Sequence, residues 1–150
     1  QRGEDGIEFT DQEKKGLSLF NNFCSSCHKP PFFASDDYKS NGLPIDPELL
    51  DFGRMTITGN KRDSSLFMVP TLRNIEYSFP YMHDGRISKL KDVIKHYTLL
   101  DYSNPLLSKE LRRNPVRLSD NEQKDLLAFL KTLTDKSFLF DVRFKYSTIK

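Results

Sequence analysis

Long apolar runs are missing from this 150-residue chain. No segment reaches the length of a membrane-spanning helix, and no apolar secretion signal opens the sequence. An excess of one charge is missing too: 23 basic and 21 acidic side chains leave a net charge of +2. That balance lacks the concentrated basic stripe that nucleic acid demands. No internal repeat or low-complexity block occurs, which excludes repeat architectures. Cysteine is restricted to two residues and histidine to three. A structural zinc site takes about four ligands, commonly offered as two pairs, and no second cysteine pair is present to complete one. What remains is a chain of the length of one ordinary domain, able to bury a modest core.

Both cysteines fall in one run, Cys24-Ser25-Ser26-Cys27-His28. Two thiols three positions apart on a helical turn can each add across one vinyl group of a haem. The histidine that follows is then aimed at the iron as its proximal ligand. A thioredoxin-like pair would need a strand before the motif and a helix after it. Here a helical pattern precedes, and a proline-rich loop, Lys29-Pro30-Pro31, follows. A disulfide across two residues would be strained and would leave His28 without a role. The spacing therefore predicts one covalent haem c, with Cys24 and Cys27 as thioether donors and His28 on the iron. Twelve Phe and six Tyr suit a chain wrapped around a flat apolar cofactor. Pro30 or Pro31 either offers a carbonyl to the second ring nitrogen of His28 or makes an ordinary turn. Haem c is attached outside the cytoplasm, so the expected location is periplasmic or otherwise exported. An upstream export signal, and a mature or excised chain, are expected with it.

Helix signals bracket the chain. Thr10-Asp11-Gln12-Glu13 is a capping box, with Ile7 or Phe9 as a hydrophobic staple. Leu17, Phe20 and Cys24 then share one face, which predicts a helix over about 10–24 that delivers the cysteines at its end. A second capping box, Ser119-Asp120-Asn121-Glu122, precedes Leu126, Leu127, Leu130 and Leu133, predicting a helix over about 119–133. A third helical pattern covers about 87–99. The stretch from Phe32 to Phe67 is rich in Gly, Pro, Asp and Asn and reads as loops, with one short helical turn near Pro47 to Leu50. The fold class expected is all-α: a cytochrome c-like single haem domain with long loops around the haem. The expected organisation is a flexible leader over 1–9, a haem domain over 10–136 and an extended tail over 137–150. In that tail Phe138, Phe140, Val142, Phe144 and Tyr146 alternate, as a strand packing back on the domain or as an arm for a partner.

From Leu66 to Tyr97 the chain reads LFMVPTLRNIEYSFPYMHDGRISKLKDVIKHY. With the CSSCH helix, Gly42-Leu43-Pro44, Gly53-Arg54 and the closing Leu-Ser-x-x-Glu helix, this segment closely resembles the C-terminal haem domain of bacterial di-haem cytochrome c peroxidases and MauG. The resemblance covers about residues 10–136. It implies electron transfer, with redox equivalents received or stored for a second haem domain that reacts with peroxide. Peroxidase activity is thus expected of the whole assembly, since one CxxCH leaves no second haem on this piece. The partners implied are that second haem domain, in the same chain or a separate one, and a small redox protein as electron donor. A free-standing mono-haem electron carrier is the alternative.

The ligand facing His28 across the iron is not fixed by motif. Met55, Met68, Met82, His83, His96 and Tyr97 are candidates by type. Leu90, Val93 and Ile94 share a helical face whose middle falls near Tyr97, while His96 points aside, toward solvent. The family resemblance agrees: its ligand position lies fourteen residues after the histidine of the PYxH block, which here is Tyr97, and MauG-like members also place Tyr there. Tyr97 is therefore either the distal iron ligand or a core aromatic, with Met82 as the alternative ligand. Met55 and Met68 read as packing or loop residues. Arg73, and more weakly Arg54, are candidates to hold a haem propionate, against a surface ion pair. His83 is a candidate near the haem, against a satisfied core histidine. The resemblance further implies that Ser78 and Pro80 carbonyls form half of a calcium site between two haem domains. Lys89, Lys91 and Lys95 make a basic helix edge, either steering an acidic partner or simply solvated.

Overall fold

The computed structural model describes residues 8–144. The chain folds into helices α1 (Asp11–Phe23), α2 (Met55–Thr58), α3 (Leu90–Thr98), α4 (Lys109–Arg113), α5 (Asp120–Lys131) and α6 (Lys136–Leu139). Two two-residue strands, β1 (Tyr38–Lys39) and β2 (Phe67–Met68), pair antiparallel with Tyr38 opposite Met68. The all-α expectation holds, and long loops connect the helices.

Both expected capping boxes form. The Thr10 hydroxyl accepts from the Glu13 N–H while Glu13 reaches back to the Thr10 N–H, and Ser119 and Glu122 repeat the arrangement. These caps satisfy amide groups that the first turn leaves open and fix where each helix starts. Helices α1 and α5 then cross with Phe20 and Phe129 fully buried, their rings 5.2 Å apart. Gly16 makes the crossing possible. A Cβ built there would lie 2.0 Å from the Asp125 carbonyl oxygen and 2.7 Å from Phe129 Cβ. Ile94 and Leu90 of α3 close the same core from the side.

The third helix is shorter than the pattern over 87–99 suggested, beginning at Leu90. In the long loop, the short turn expected near Pro47 forms, closed by the Leu50 N–H on the Asp46 carbonyl. A further short helix lies at Met55–Thr58, ended by Gly59 in the left-handed region (φ 67°). Neither α2 nor α4 carries a strong apolar period, which is why pattern reading passed over them.

The tail differs from expectation. From 136 to 144 it is not extended but makes two short helical turns, α6 and a 3-10 turn over Val142–Phe144. The alternation of aromatics lost to local capping: Asp135 accepts from the Phe138 N–H at 2.9 Å, and Asp141 accepts from the Arg143 N–H at 2.9 Å. Tyr146 and most of the expected leader lie outside the described residues.

Candidate haem site

Helix α1 ends at Phe23, and Cys24 is its C-cap, with its N–H on the Phe20 carbonyl. The His28 N–H bonds back to the Cys24 carbonyl at 2.9 Å, so the CSSCH run winds one further turn beyond the helix. The His28 ring is half-buried. Its Nδ1 faces two carbonyls, Phe33 O at 3.2 Å and Pro70 O at 3.1 Å. Only a donor can face two carbonyls, so Nδ1 carries the proton and Nε2 keeps its lone pair for a metal. Burial lowers the His28 pKa, against the opposing pull of those two carbonyls. Neither Pro30 nor Pro31 supplies the orienting carbonyl. That role falls to Phe33 in the same loop and to Pro70, which comes from the VPTLRN block.

That block is a clamp. The Thr71 hydroxyl donates to Phe32 O at 2.6 Å, and the Leu72 N–H donates to Phe33 O at 3.1 Å. Asn74 adopts a left-handed φ of 60°, which asparagine tolerates better than most residues. Its N–H meets Leu133 O, and its side-chain carbonyl accepts from the Asp135 N–H at 2.7 Å. One six-residue segment thus fastens the His28 loop to the end of α5.

The thiols are separate and free. Burial, followed by the neighbouring Cys27, pushes the Cys24 pKa up to about 12, and burial raises that of Cys27. Both shifts keep the thiols protonated at neutral pH. Among the described residues no group of three or more His, Cys, Asp or Glu side chains could hold a metal ion. The donor set fits a haem attached through two neutral thiols, with one imidazole fixed in the ligating tautomer.

The loop over 40–43 is tied to the start of α4. The Ser40 N–H donates to the Ser108 hydroxyl at 2.8 Å, and the Ser108 N–H donates back to Ser40 O at 3.1 Å. Gly42 then turns at φ 74°. Asn41, between them, is half-buried, and its amide donates to Met82 Sδ at 3.3 Å. Met82 itself sits at φ 72°, a conformation costly for a non-glycine residue and one that gathers at functional sites. Tyr97 is half-buried, about one turn beyond buried Ile94 on the same face of α3. Burial, and next the Cys24 thiol, raise its pKa to about 12, and the Asn41 amide pulls the other way.

His96 departs from its expected outward direction. It is half-buried, and its Nε2 lies 3.0 Å from Asn41 O. The apolar period placed Tyr97 inward but could not foresee that a loop would cover the neighbouring face. His83 lies flat on the Phe67 ring at 3.8 Å, with Nε2 3.9 Å from Asp84. Arg54 sits over the Tyr38 ring at 4.2 Å and 3.6 Å from Asp63. Arg73, Ser78 and Pro80 are exposed. Met55 is half-buried, and Met68 is exposed on β2. Lys89, Lys91 and Lys95 are all exposed along the edge of α3. Sequence reading missed Asn41 and Phe33. An Asn-Gly pair directly before Leu43-Pro44 was the available signal for the first. For the second, nothing in the sequence marks Phe33 as a carbonyl donor.

Comparison with known proteins identifies the family. The family model for cytochrome c matches residues 13–134. The cytochrome c551 peroxidase of Nitrosomonas europaea is 34% identical over 125 residues, covering 81% of this chain and 34% of the relative. The methylamine utilization protein MauG of Methylophilus methylotrophus is 35% identical over 134 residues, covering 83% of this chain and 37% of the relative. A crystal structure of a MauG-like protein associated with microbial copper homeostasis superposes with a TM-score of 0.77 at 30% identity, over 92% of this chain and 51% of that one. The chain therefore spans about a third of those curated relatives and about half of that solved one.

Proposed function

Because the chain belongs to the cytochrome c family, we propose that it is the electron-transfer haem domain of a di-haem cytochrome c peroxidase or MauG-like oxidoreductase. Its partner in this reading is a second, peroxide-reacting haem domain, on the same chain or a separate one, and its electrons come from a small redox protein. Family membership implies covalently bound haem c. When bound, that group supplies a one-electron ferric–ferrous couple. Cys24 and Cys27 would hold it through thioether bonds, and His28 would offer Nε2 in a tautomer fixed by Phe33 O and Pro70 O.

Tyr97 would be the distal ligand in this reading, and the observation that carries it is its place one turn beyond buried Ile94, on the face of α3 that Leu90 and Ile94 turn inward. A phenol oxygen is a hard donor and favours oxidised iron, whereas the softer Met82 thioether favours reduced iron. A domain ligated by Tyr97 holds oxidising equivalents rather than passing electrons at high potential. Arg73 is exposed and, among the described residues, makes no salt bridge, so its guanidinium could hold a propionate. The Arg54 guanidinium already engages Tyr38 and Asp63 and is the weaker choice. Ser78 and Pro80, both exposed, offer carbonyls for half of a calcium site completed by the second domain. No described helix is long and apolar enough to cross a membrane. Attachment of haem c outside the cytoplasm makes the bacterial periplasm the location proposed.

The test is an optical and EPR spectrum of the ferric holoprotein, with Tyr97→Phe and Met82→Leu beside it. The expected result is a low-spin ferric haem without a thioether charge-transfer band, slow to reduce, whose spectrum changes in Tyr97→Phe and not in Met82→Leu. A thioether band, easy reduction and an unchanged Tyr97→Phe spectrum would overturn the assignment and point to a Met82-ligated electron carrier.

A further inference from the structure

Met82 and Tyr97 reach the site from different elements, a turn and the end of α3, yet Asn41 bears on both: its amide donates to Met82 Sδ, its backbone carbonyl faces the ring of His96 beside Tyr97, and it pulls the Tyr97 pKa down. We infer that Asn41 is the positioning residue of the distal face, holding the two competing donors and setting the balance of oxidised to reduced iron through its amide N–H groups. The inference rests on the reading of Tyr97 as ligand given above, and it adds a residue that does not itself bind iron.

Three features pin Asn41 so that its amide can only donate inward. Its side-chain carbonyl accepts from the Leu43 N–H at 3.1 Å, which fixes the flip of the amide and leaves the NH2 end free. Its backbone carbonyl faces His96 Nε2 at 3.0 Å, tying the loop to the residue next to Tyr97. Ser40, immediately before it, is 2% exposed and exchanges two hydrogen bonds with Ser108. The NH2 group so aimed meets Met82 Sδ at 3.3 Å, and the same amide lowers the Tyr97 pKa against the effect of burial. An amide has two N–H donors, enough to serve both neighbours at once. A helix-end tyrosine and a loop methionine would otherwise be free to compete for one position. A shared donor restrains both and keeps their spacing constant.

Donation has an electronic consequence as well as a geometric one. An N–H directed at the lone pair of a sulfur or oxygen ligand withdraws density from that ligand, which weakens its support of oxidised iron. The sign is the same for either donor. Loss of the N–H groups therefore favours the oxidised state whether Tyr97 or Met82 binds. The size expected is that of one ordinary hydrogen bond, about fivefold in the ratio of reduced to oxidised protein at a fixed poise.

The experiment is a redox titration and ferric EPR of the holoprotein carrying Asn41→Leu or Asn41→Asp, with Tyr97→Phe in parallel. Leucine matches the shape and removes donor and acceptor alike. Aspartate keeps the acceptor for the Leu43 N–H, and with it the loop, while losing the donors, so it covers the case in which the leucine variant does not fold. The expected result is an altered ferric EPR signal and a lower ratio of reduced to oxidised protein in both. The aspartate shift should exceed the leucine shift because it adds a negative charge. Unaltered EPR and titration curves in both Asn41 variants, with a changed Tyr97→Phe spectrum, would overturn the role of Asn41 and leave the ligand assignment standing. An unchanged Tyr97→Phe spectrum with altered Asn41 variants would overturn the ligand assignment and assign Asn41 to Met82 alone. A purely structural role for Asn41 would lower thermal stability without moving the potential, and that outcome also counts against the inference.

Discussion

The two faces of the haem site are built on opposite plans. The His28 face has one donor, two carbonyls that fix it, and a clamp that joins its loop to α5. In the proposed reading the Asn41 face offers two candidate donors of opposite chemical preference, Tyr97 and Met82, with the Asn41 amide bonded to Met82 Sδ. The difference teaches where variation can enter. A face with one donor and redundant restraints fixes attachment and orientation. A face with competing donors sets potential, and a single substitution there can change it without disturbing attachment.

The sharpest way to break this comparison is at the thiols. The double variant Cys24→Ala with Cys27→Ala is expected to lose covalent haem completely, read as absence of haem stain on a denaturing gel. Tyr97→Phe, Met82→Leu and the Asn41 variants are expected to keep full covalent haem. If any distal variant loses attached haem, the division of labour between the faces is wrong. Next in size is Gly16→Ala. The added methyl meets the Asp125 carbonyl and Phe129 across the α1–α5 crossing, and neither can give way, so the helices must separate. Thermal and urea unfolding of the holoprotein should show a loss of about 3 kcal/mol. An unchanged midpoint would mean that α1 and α5 do not cross as closely as described.

The two faces were also unequally legible in the sequence. Cys24, Cys27, His28 and the capped helices are local patterns, each contained in a few consecutive residues, and all three helices bracketing the site were readable that way. The resemblance through VPTLRN and PYMHDGR placed the remaining blocks in order, but not in contact. What the residues alone could not give was pairing across long separations. His28 meets Pro70, forty-two positions away, and Asn41 meets Met82, forty-one away, through irregular loops without a period. Phasing along α3 put Tyr97 on the face of Leu90 and Ile94, because a helix carries its own ruler, and missed the partner of His96, because that partner sits on a loop. The tail failed for a different reason: its alternating aromatics read as a strand, and two aspartate caps turned the same residues into helical turns.

The clamp offers a smaller, more discriminating test. Thr71→Val preserves shape and removes the 2.6 Å bond to Phe32 O, which holds the loop whose next residue, Phe33, orients His28. The expected cost is about 1 kcal/mol of stability in urea unfolding, with the ferric spectrum unchanged because Pro70 O still fixes the ring. A spectral change as large as that of an Asn41 variant would show that the His28 face is no more redundant than the other.

The smallest expected effect distinguishes the faces by pH. The turn that presents Met82 is braced by Asp84, whose nearly enclosed carboxylate takes the Arg86 Nε–H at 2.6 Å and a second bond from the Arg86 terminal nitrogen. Arg86 holds the Asp84 pKa below the usual carboxylate range. For an acid lowered in this way, the folded state binds its proton less readily than the unfolded state. The stabilisation is therefore complete above the ordinary aspartate value of about 3.9 and declines as pH falls through it toward the lower folded value. The clamp on the His28 face holds its loop with hydroxyl and amide bonds that do not titrate in that range. Urea unfolding between about pH 3 and 6 should thus show a steeper acid-side loss in the native protein than in Asp84→Asn. Coincident slopes would place the acid sensitivity elsewhere and remove Asp84 as the brace of the distal turn.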